Sequence, residues 1–173
     1  MNIPHVTPVA WPRRLERYGA PDTYRLSAVW LRACGTVSDW GGASGAFAEY
    51  LPSETSYRNV DGTLQAVDQV LADLALYREA SDGILLRHVL DNTDEWEPIL
   101  ANAMRCFRDR MAVVTFTPDA EVTRKIEHKN GWPTWNFNPA DLRAAMAPHL
   151  VGEMFIQTSH PERIYYLEKA CAS

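Results

Sequence analysis

The chain has 173 residues, 46% of them apolar, and a formal net charge of −5. That length and apolar content suit one globular domain with a real core, and the acidic balance argues against non-specific nucleic-acid binding, which needs a basic surface. No apolar run approaches the roughly 18 residues of a membrane span, and the first residues lack a basic-then-apolar export signal, so a cytoplasmic protein without membrane or nucleic-acid partners is expected.

Pro4, Pro8, Pro12 and Pro21 forbid a long helix at the start. Residues 1–21 therefore read as an arm, with Arg13, Arg14 and Arg17 as a basic patch, and residues 22–173 as a single domain. Residues 22–32 predict a helix capped by Asp22, with Leu26, Val29 and Trp30 on its buried face, and Gly35 stops it. Thr36–Asp39 reads as a strand, Gly41-Gly42-Ala43-Ser44-Gly45 as a turn, and Gly45 to Leu51 as a helix ended by Pro52. Glycines in such a turn permit positive φ and close approach of a ligand. The helix start beyond offers free N–H groups. Asp39, an acid just before the turn, would repel a pyrophosphate and favours a ligand with a cationic end. Tyr57–Asp61 is a short strand ending in a second acid, 22 residues past Asp39. In βαβ nucleotide folds an acid about 20 residues beyond the glycine turn bonds the ribose hydroxyls; the plain alternative is an Asp61-Gly62 turn.

Residues 63–77 carry two patterns. Leu64, Val67, Val70, Leu71 and Leu74 fit a helix, whereas Gln69–Leu74 fits a strand with Asp73 near its end. From Asp82 an apolar strand runs into Arg87-His88-Val89-Leu90-Asp91-Asn92. Thr93 caps a predicted helix with Trp96, Ile99, Leu100 and Met104 as its core stripe, and Arg108–Arg110 is the exit. Met111–Thr117 reads as a buried central strand. Residues 119–138 mix basic side chains, His128 among them, with Trp132 and Trp135, which wall a pocket, close the end of the core or meet another subunit. Asn138-Pro139 opens another helix, with Leu142 and Met146 on its buried side. Residues 152–158 and 163–168 form a hairpin, so the last strand returns antiparallel. Cys34, Cys106 and Cys171 lie far apart without C-x-x-C spacing, which suits free thiols rather than a metal site, and no metal is expected. The whole reads as an α/β domain, doubly wound, with a mostly parallel sheet and an antiparallel final strand.

Asp39-x-Gly41-x-Ala43-x-Gly45 resembles the first motif of class I S-adenosylmethionine-dependent methyltransferases, with Ala43 where the family usually has glycine. Alanine suits that place if its φ stays negative. Arg87-His88-Val89-Leu90-Asp91-Asn92 is similar to the segment after the fourth strand of small-molecule members, with Asp91 and Asn92 in place of the common Glu and His. The resemblance spans about residues 22–169. It implies S-adenosylmethionine as cofactor and methylation of a small molecule, such as a hydroxyl-bearing metabolite or sugar. It places Asp39, Gly41, Gly42, Ala43 and Gly45 at the methionine end, Asp61 on the ribose, Asp73 and the Leu74 N–H on the adenine, and Arg87 among the cofactor contacts. It makes His88 the candidate base, with Asp91 and His128 behind it. The Asn/Asp-Pro-Pro-Tyr motif of base and amide methylation is absent. Two other readings stand beside this one: a methyltransferase-fold binding or regulatory module without transferase activity, and a nicotinamide-dependent oxidoreductase. The second is disfavoured because the turn does not spell G-x-G-x-x-G.

Overall fold

The computed structural model describes residues 21–63, 66, 68–116, 120–127, 133–157 and 161–170. Their elements follow in the order α1 (Pro21–Leu31), β1 (Thr36–Trp40), β2 (Ser56–Asp61), β3 (Gln69–Leu71), β4 (Ser81–Arg87), α2 (Trp96–Cys106), β5 (Phe107–Phe116), β6 (Arg124–Glu127), β7 (Pro133–Asn136), α3 (Pro139–Met146), β8 (Leu150–Ile156) and β9 (Glu162–Glu168). Seven strands form one sheet in the order β3-β2-β1-β4-β5-β9-β8, and β6 and β7 pair as a separate hairpin. β1 to β5 run parallel in that sheet, while β9 lies antiparallel to both β5 and β8. The expected architecture, mostly parallel with an antiparallel closing strand, is what the chain adopts. The N-terminal arm lies outside the described residues apart from Pro21, which begins α1.

Alternation along the strands sorts the core into two layers. Val37, Leu85, Ala112, Val114 and Ile164 face α1, where Ala28 and Leu31 meet them. Trp40, Val60, Ile84, Leu86, Met111 and Val113 face the other way, onto Ile99, Leu100 and Ala103 of α2 and Leu142 and Met146 of α3. Asn138 caps α3 as its sequence predicts, its side chain accepting from the Ala140 amide. α2 starts later than the Thr93 signal suggests, at Trp96, because Thr93 Oγ1 accepts from the Glu95 amide at 3.2 Å in a local turn. Arg108–Arg110, expected as an exit, lie inside β5.

The β3 half of the sheet is built with little helix. Gly45–Leu51, expected as a helix, forms one 3-10 segment at Ala46–Tyr50 between a left-handed Gly45 and an extended Leu51. Five residues are too few for an α-helix to sustain itself. The ambiguous 63–77 segment contains the strand β3, joined to β2 by residues 62–68. That is shorter than the dozen residues a parallel crossover usually needs, and β3, at three residues, asks for only a short return. Asn102 of α2 tethers the next connection, between β3 and β4. It is fully buried, and its Nδ2 donates to the Leu74 carbonyl at 2.7 Å and the Tyr77 carbonyl at 2.6 Å.

Candidate cofactor site

Because β1 to β4 are parallel, their C-terminal ends share one edge of the sheet, the edge where open α/β sheets take ligands. Registry brings Asp39 beside Asn59 and Leu85, and Asp61 beside Leu71. Tyr57, Asn59 and Asp61 alternate along β2 and share the face that carries Asp39 and Arg87.

Asp39 is buried, and burial pushes its carboxyl up to about 7 against the hydrogen bond from Tyr57 and the charge of Arg87; Asp61 adds to the rise. The Tyr57 hydroxyl donates to Asp39 Oδ2 at 2.9 Å; burial, and then the charge and hydrogen bond of Asp39, raise the Tyr57 hydroxyl far above its ordinary value. Asn59 Nδ2 donates to the Ala43 carbonyl at 2.9 Å, while Asn59 Oδ1 is buried and has no donor. Among the described residues the turn therefore rests on one carboxylate with a single side-chain donor and one orphaned amide oxygen, an acceptor set that welcomes an N–H-rich or cationic group.

The glycines have distinct duties. Gly41 (φ 78°) and Gly45 (φ 76°) take the left-handed region. A Cβ on Gly41 would strike the Val89 side chain, and one on Gly42 would lie 2.6 Å from both Asn59 Oδ1 and Asp39 Oδ2. The close approach at Gly41 is thus by the chain's own Val89. Ala43 corrects an expectation: its φ is 46°, positive rather than negative. The conformation is held by the Ala43 amide, which donates to Asp61 Oδ2 at 3.0 Å. Asp61 Oδ1 accepts from the Thr63 amide at 2.9 Å and its hydroxyl at 3.1 Å. Burial raises the Asp61 carboxyl and these bonds resist the rise. Asp73 follows β3, half-buried, its Oδ1 accepting from the Ala75 amide at 2.9 Å. Leu74 is buried in the core.

The end of β4 is a buried charge cluster. Arg87 Nε donates to Thr23 Oγ1 at 3.0 Å, its guanidinium stacks 3.9 Å over Tyr24, and Nη2 lies 3.4 Å from Glu162 Oε1. His88, at φ 55°, puts Nε2 2.7 Å from the same Glu162 oxygen and Nδ1 3.7 Å from Asp91 Oδ2, with Phe116 stacked on its ring at 3.7 Å. The His88 amide donates to the Val114 carbonyl at 2.9 Å, and Asn92 Nδ2 donates to the His88 carbonyl at 2.7 Å. Asp91 Oδ1 accepts from the Phe116 amide at 3.0 Å, and burial raises its carboxyl despite His88. Glu162 is fully buried; although burial opposes this, hydrogen bonding and charge from His88 and then Arg87 hold its carboxyl below the usual range.

Structure thus brings together Asp39, the glycine turn and Asp61 as the sequence suggests, and joins His88 to Asp91. His128 and Trp132 lie outside the described residues. Trp135 packs edge-on against Trp96, with ring centroids 6.2 Å apart. Tyr57, Asn59 and Glu162 were missed. The period-2 polar face of β2 was a usable signal for the first two; Glu162 gave none, since it reads as part of the hairpin link. Among the described residues no three His, Cys, Asp or Glu side chains gather as a metal site, and no helix is long and apolar enough to cross a membrane.

No protein-family model matches the sequence, and no curated protein matches it. Solved structures do. The 1,6-didemethyltoxoflavin-N1-methyltransferase of Burkholderia thailandensis, with S-adenosylhomocysteine bound, superposes with a TM-score of 0.70 at 17% identity, over 85% of this chain and 78% of that one. The N-terminal domain of EvdMO1, solved with S-adenosylhomocysteine and D-fucose, gives 0.65 at 14%, over 90% and 86%. The magnesium protoporphyrin IX methyltransferase of Synechocystis PCC 6803 gives 0.64 at 14%, over 86% and 83%. The chain has the class I methyltransferase fold.

Proposed function

We propose that the protein is an S-adenosylmethionine-dependent methyltransferase acting on a small molecule. The observation that carries this is the paired acceptor set under the glycine turn, buried Asp39 beside donor-less Asn59 Oδ1, at the ligand-binding edge of this fold. S-adenosylmethionine offers a sulfonium and an amino group that suit such acceptors, and it supplies the electrophilic methyl when bound. The solved relatives carry its demethylated product. Asp39 and the turn from Gly41 to Gly45 hold the methionine end. Asp61 has a lone pair left for a ribose hydroxyl after organising the turn, Asp73 Oδ2 is the oxygen left for an adenine amino group, and the Leu74 N–H would meet the adenine ring. Arg87 acts through the walls of the site, since its guanidinium is committed to Thr23, Tyr24 and Glu162.

The chain's contribution to the chemistry is alignment and exclusion of water. His88 fits a positioning role better than that of a base. Its Nε2 already meets Glu162 and its Nδ1 faces Asp91, so neither nitrogen points at an acceptor's proton. A methyl acceptor that needs little proton removal, such as a neutral nitrogen or an acidic hydroxyl, fits this arrangement.

The second reading, a binding module of the same fold without transfer, draws on Val89 filling the space over Gly41 and on the single 3-10 segment that stands after the turn in place of a longer helix. Calorimetry with S-adenosylmethionine and NAD, on the wild type and Asp61→Ala, tests both. The first ligand should bind, NAD should not, and Asp61→Ala should weaken binding about ten- to a hundredfold, the scale of lost hydrogen bonds to a charged acceptor. Binding without turnover across an acceptor screen would favour the module; no binding would overturn both.

A further inference from the structure

A recess lies on the sheet face opposite the Asp39 turn. Two adjacent stripes of α2, Trp96–Leu100–Met104 and Glu97–Ala101–Arg105, face Ala145 of α3, His149 and Lys169 across a cleft of about 590 Å3. Each stripe repeats every fourth residue and so forms one continuous wall. Ala101 and Ala145 are exposed and small, which leaves room between the helices. The volume suits a small-molecule site.

The two ends of the cleft differ in charge. Glu97 stands at one end; Arg105, Lys169 and His149 stand at the other, with Arg105 about 12 Å from Glu97 along the helix. Several cations of this acidic chain have carboxylate partners: Arg25 with Asp22, Arg110 with Glu168, Lys125 with Asp94, and Arg143 with Glu153. Among the described residues Arg105 and Lys169 have none. Lys169 Nζ donates to the Met104 carbonyl at 2.8 Å, lies 3.4 Å from His149 Nε2 and sits 4.5 Å over the Phe107 ring, so its charge faces one carbonyl and no carboxylate among the described residues. Arg105 reaches the Asn102 side-chain oxygen at 3.5 Å. The local field is positive: Arg78, Arg105 and Lys169 all act to lower the nearby Cys106 thiol, although burial outweighs them, and burial together with Lys169 lowers His149.

We propose that this cleft binds a small organic anion with an apolar body, an aryl or alkyl carboxylate or sulfonate, with its charged group on Arg105 and Lys169 and its body on Trp96, Leu100 and Met104. The site is distinct from the cofactor site and does not rest on the methyltransferase reading. The experiment titrates the full chain with 8-anilinonaphthalene-1-sulfonate and with its uncharged counterpart N-phenyl-1-naphthylamine, and locates binding by amide NMR shifts. The sulfonate should bind at one site, with shifts confined to 96–105, 145–149 and 169, and the uncharged probe at least tenfold more weakly. Arg105→Gln should weaken the sulfonate at least tenfold and leave the uncharged probe unchanged. Ala101→Trp should abolish both by filling the cleft; Ala145→Leu fills it from the opposite wall should the first variant fold poorly. Equal affinity for the two probes, shifts elsewhere, or an unaffected Arg105→Gln would overturn the proposal.

Discussion

The Ala43 amide donates to Asp61 Oδ2 across 18 residues of chain, and this bond ties the turn after β1 to the end of β2. It holds a non-glycine residue at a φ of 46°, where an L-residue carries roughly 1–2 kcal/mol of strain. Glycine would relieve the strain and give back part of the gain through a more flexible unfolded chain. Ala43→Gly should therefore raise stability by about 0.5–1 kcal/mol, read as a higher urea midpoint with an unchanged slope. A lower midpoint would mean that the alanine methyl makes a contact worth more than the strain.

Asp39 sets a pH dependence. Its carboxyl sits at about 7 in the fold, from burial, against 3.8 without it. Between those values the folded state keeps a proton that the unfolded state has released, so stability falls as pH rises from about 4 to about 7. Asp61 and Asp91, also raised by burial, slope the same way. Glu162, lowered by His88 and Arg87 against its burial, slopes the other way and loses its contribution in acid. Asp39→Asn should gain on wild type in stability as pH rises, the difference growing by roughly 1–4 kcal/mol between pH 5 and pH 8, with weaker S-adenosylmethionine binding at pH 8. Denaturation at both pH values checks it, and equal differences at the two would show Asp39 to be ionised throughout.

Tyr57→Phe removes the hydroxyl that stabilises the Asp39 carboxylate. The stability–pH curve should shift its upper limb to higher pH, and the variant should lose about 1 kcal/mol at pH 8. An unmoved limb would assign the slope to another carboxyl.

Glu162→Ala leaves Arg87 and His88 buried without the carboxylate they share. Breaking a buried pair costs about 3–5 kcal/mol, so the melting temperature should fall by about 10 °C, and by less for Glu162→Gln, which keeps an acceptor. Calorimetry decides. An unchanged melt would free His88 from its clamp and reopen its role as a base.

Asn102→Ala removes both side-chain donors that hold the Leu74 and Tyr77 carbonyls. The loss should be about 1–3 kcal/mol, the buried Leu74 carbonyl being left unpaired while the Tyr77 carbonyl keeps weaker contacts from Arg78 and the Cys106 thiol. Hydrogen exchange should accelerate in residues 72–80 before β5. Uniform acceleration would mean that this connection has no stability of its own.

Much of the architecture was legible because local pattern and tertiary role agreed. Asn138-Pro139 marked a helix start, the apolar run from Met111 marked a central strand, and the two strands after Gly152 marked the antiparallel return. The 63–77 segment was ambiguous because Val70, Leu71 and Leu74 satisfy both periodicities and a three-residue strand is too short to separate them. The candidate site was legible as far as Asp39, the turn and Asp61, whose spacing is local. Glu162 was not, because its burial comes from meeting Arg87, 75 residues earlier. Nor could spacing tell which way the His88 nitrogens point, since Glu162 and Asp91 fix them.

The position of β9 between β5 and β8 has a consequence for synthesis. β9 is made after both of its neighbours and fills the gap between them, so β8 leaves the ribosome before the strand it pairs with and waits for it. Until then the flank of β5 stays open, and Arg87 and His88 lack their acid. A nascent chain halted before Glu162 would hold β1 to β5 as an unfinished sheet with an exposed apolar edge, the state most in need of a chaperone.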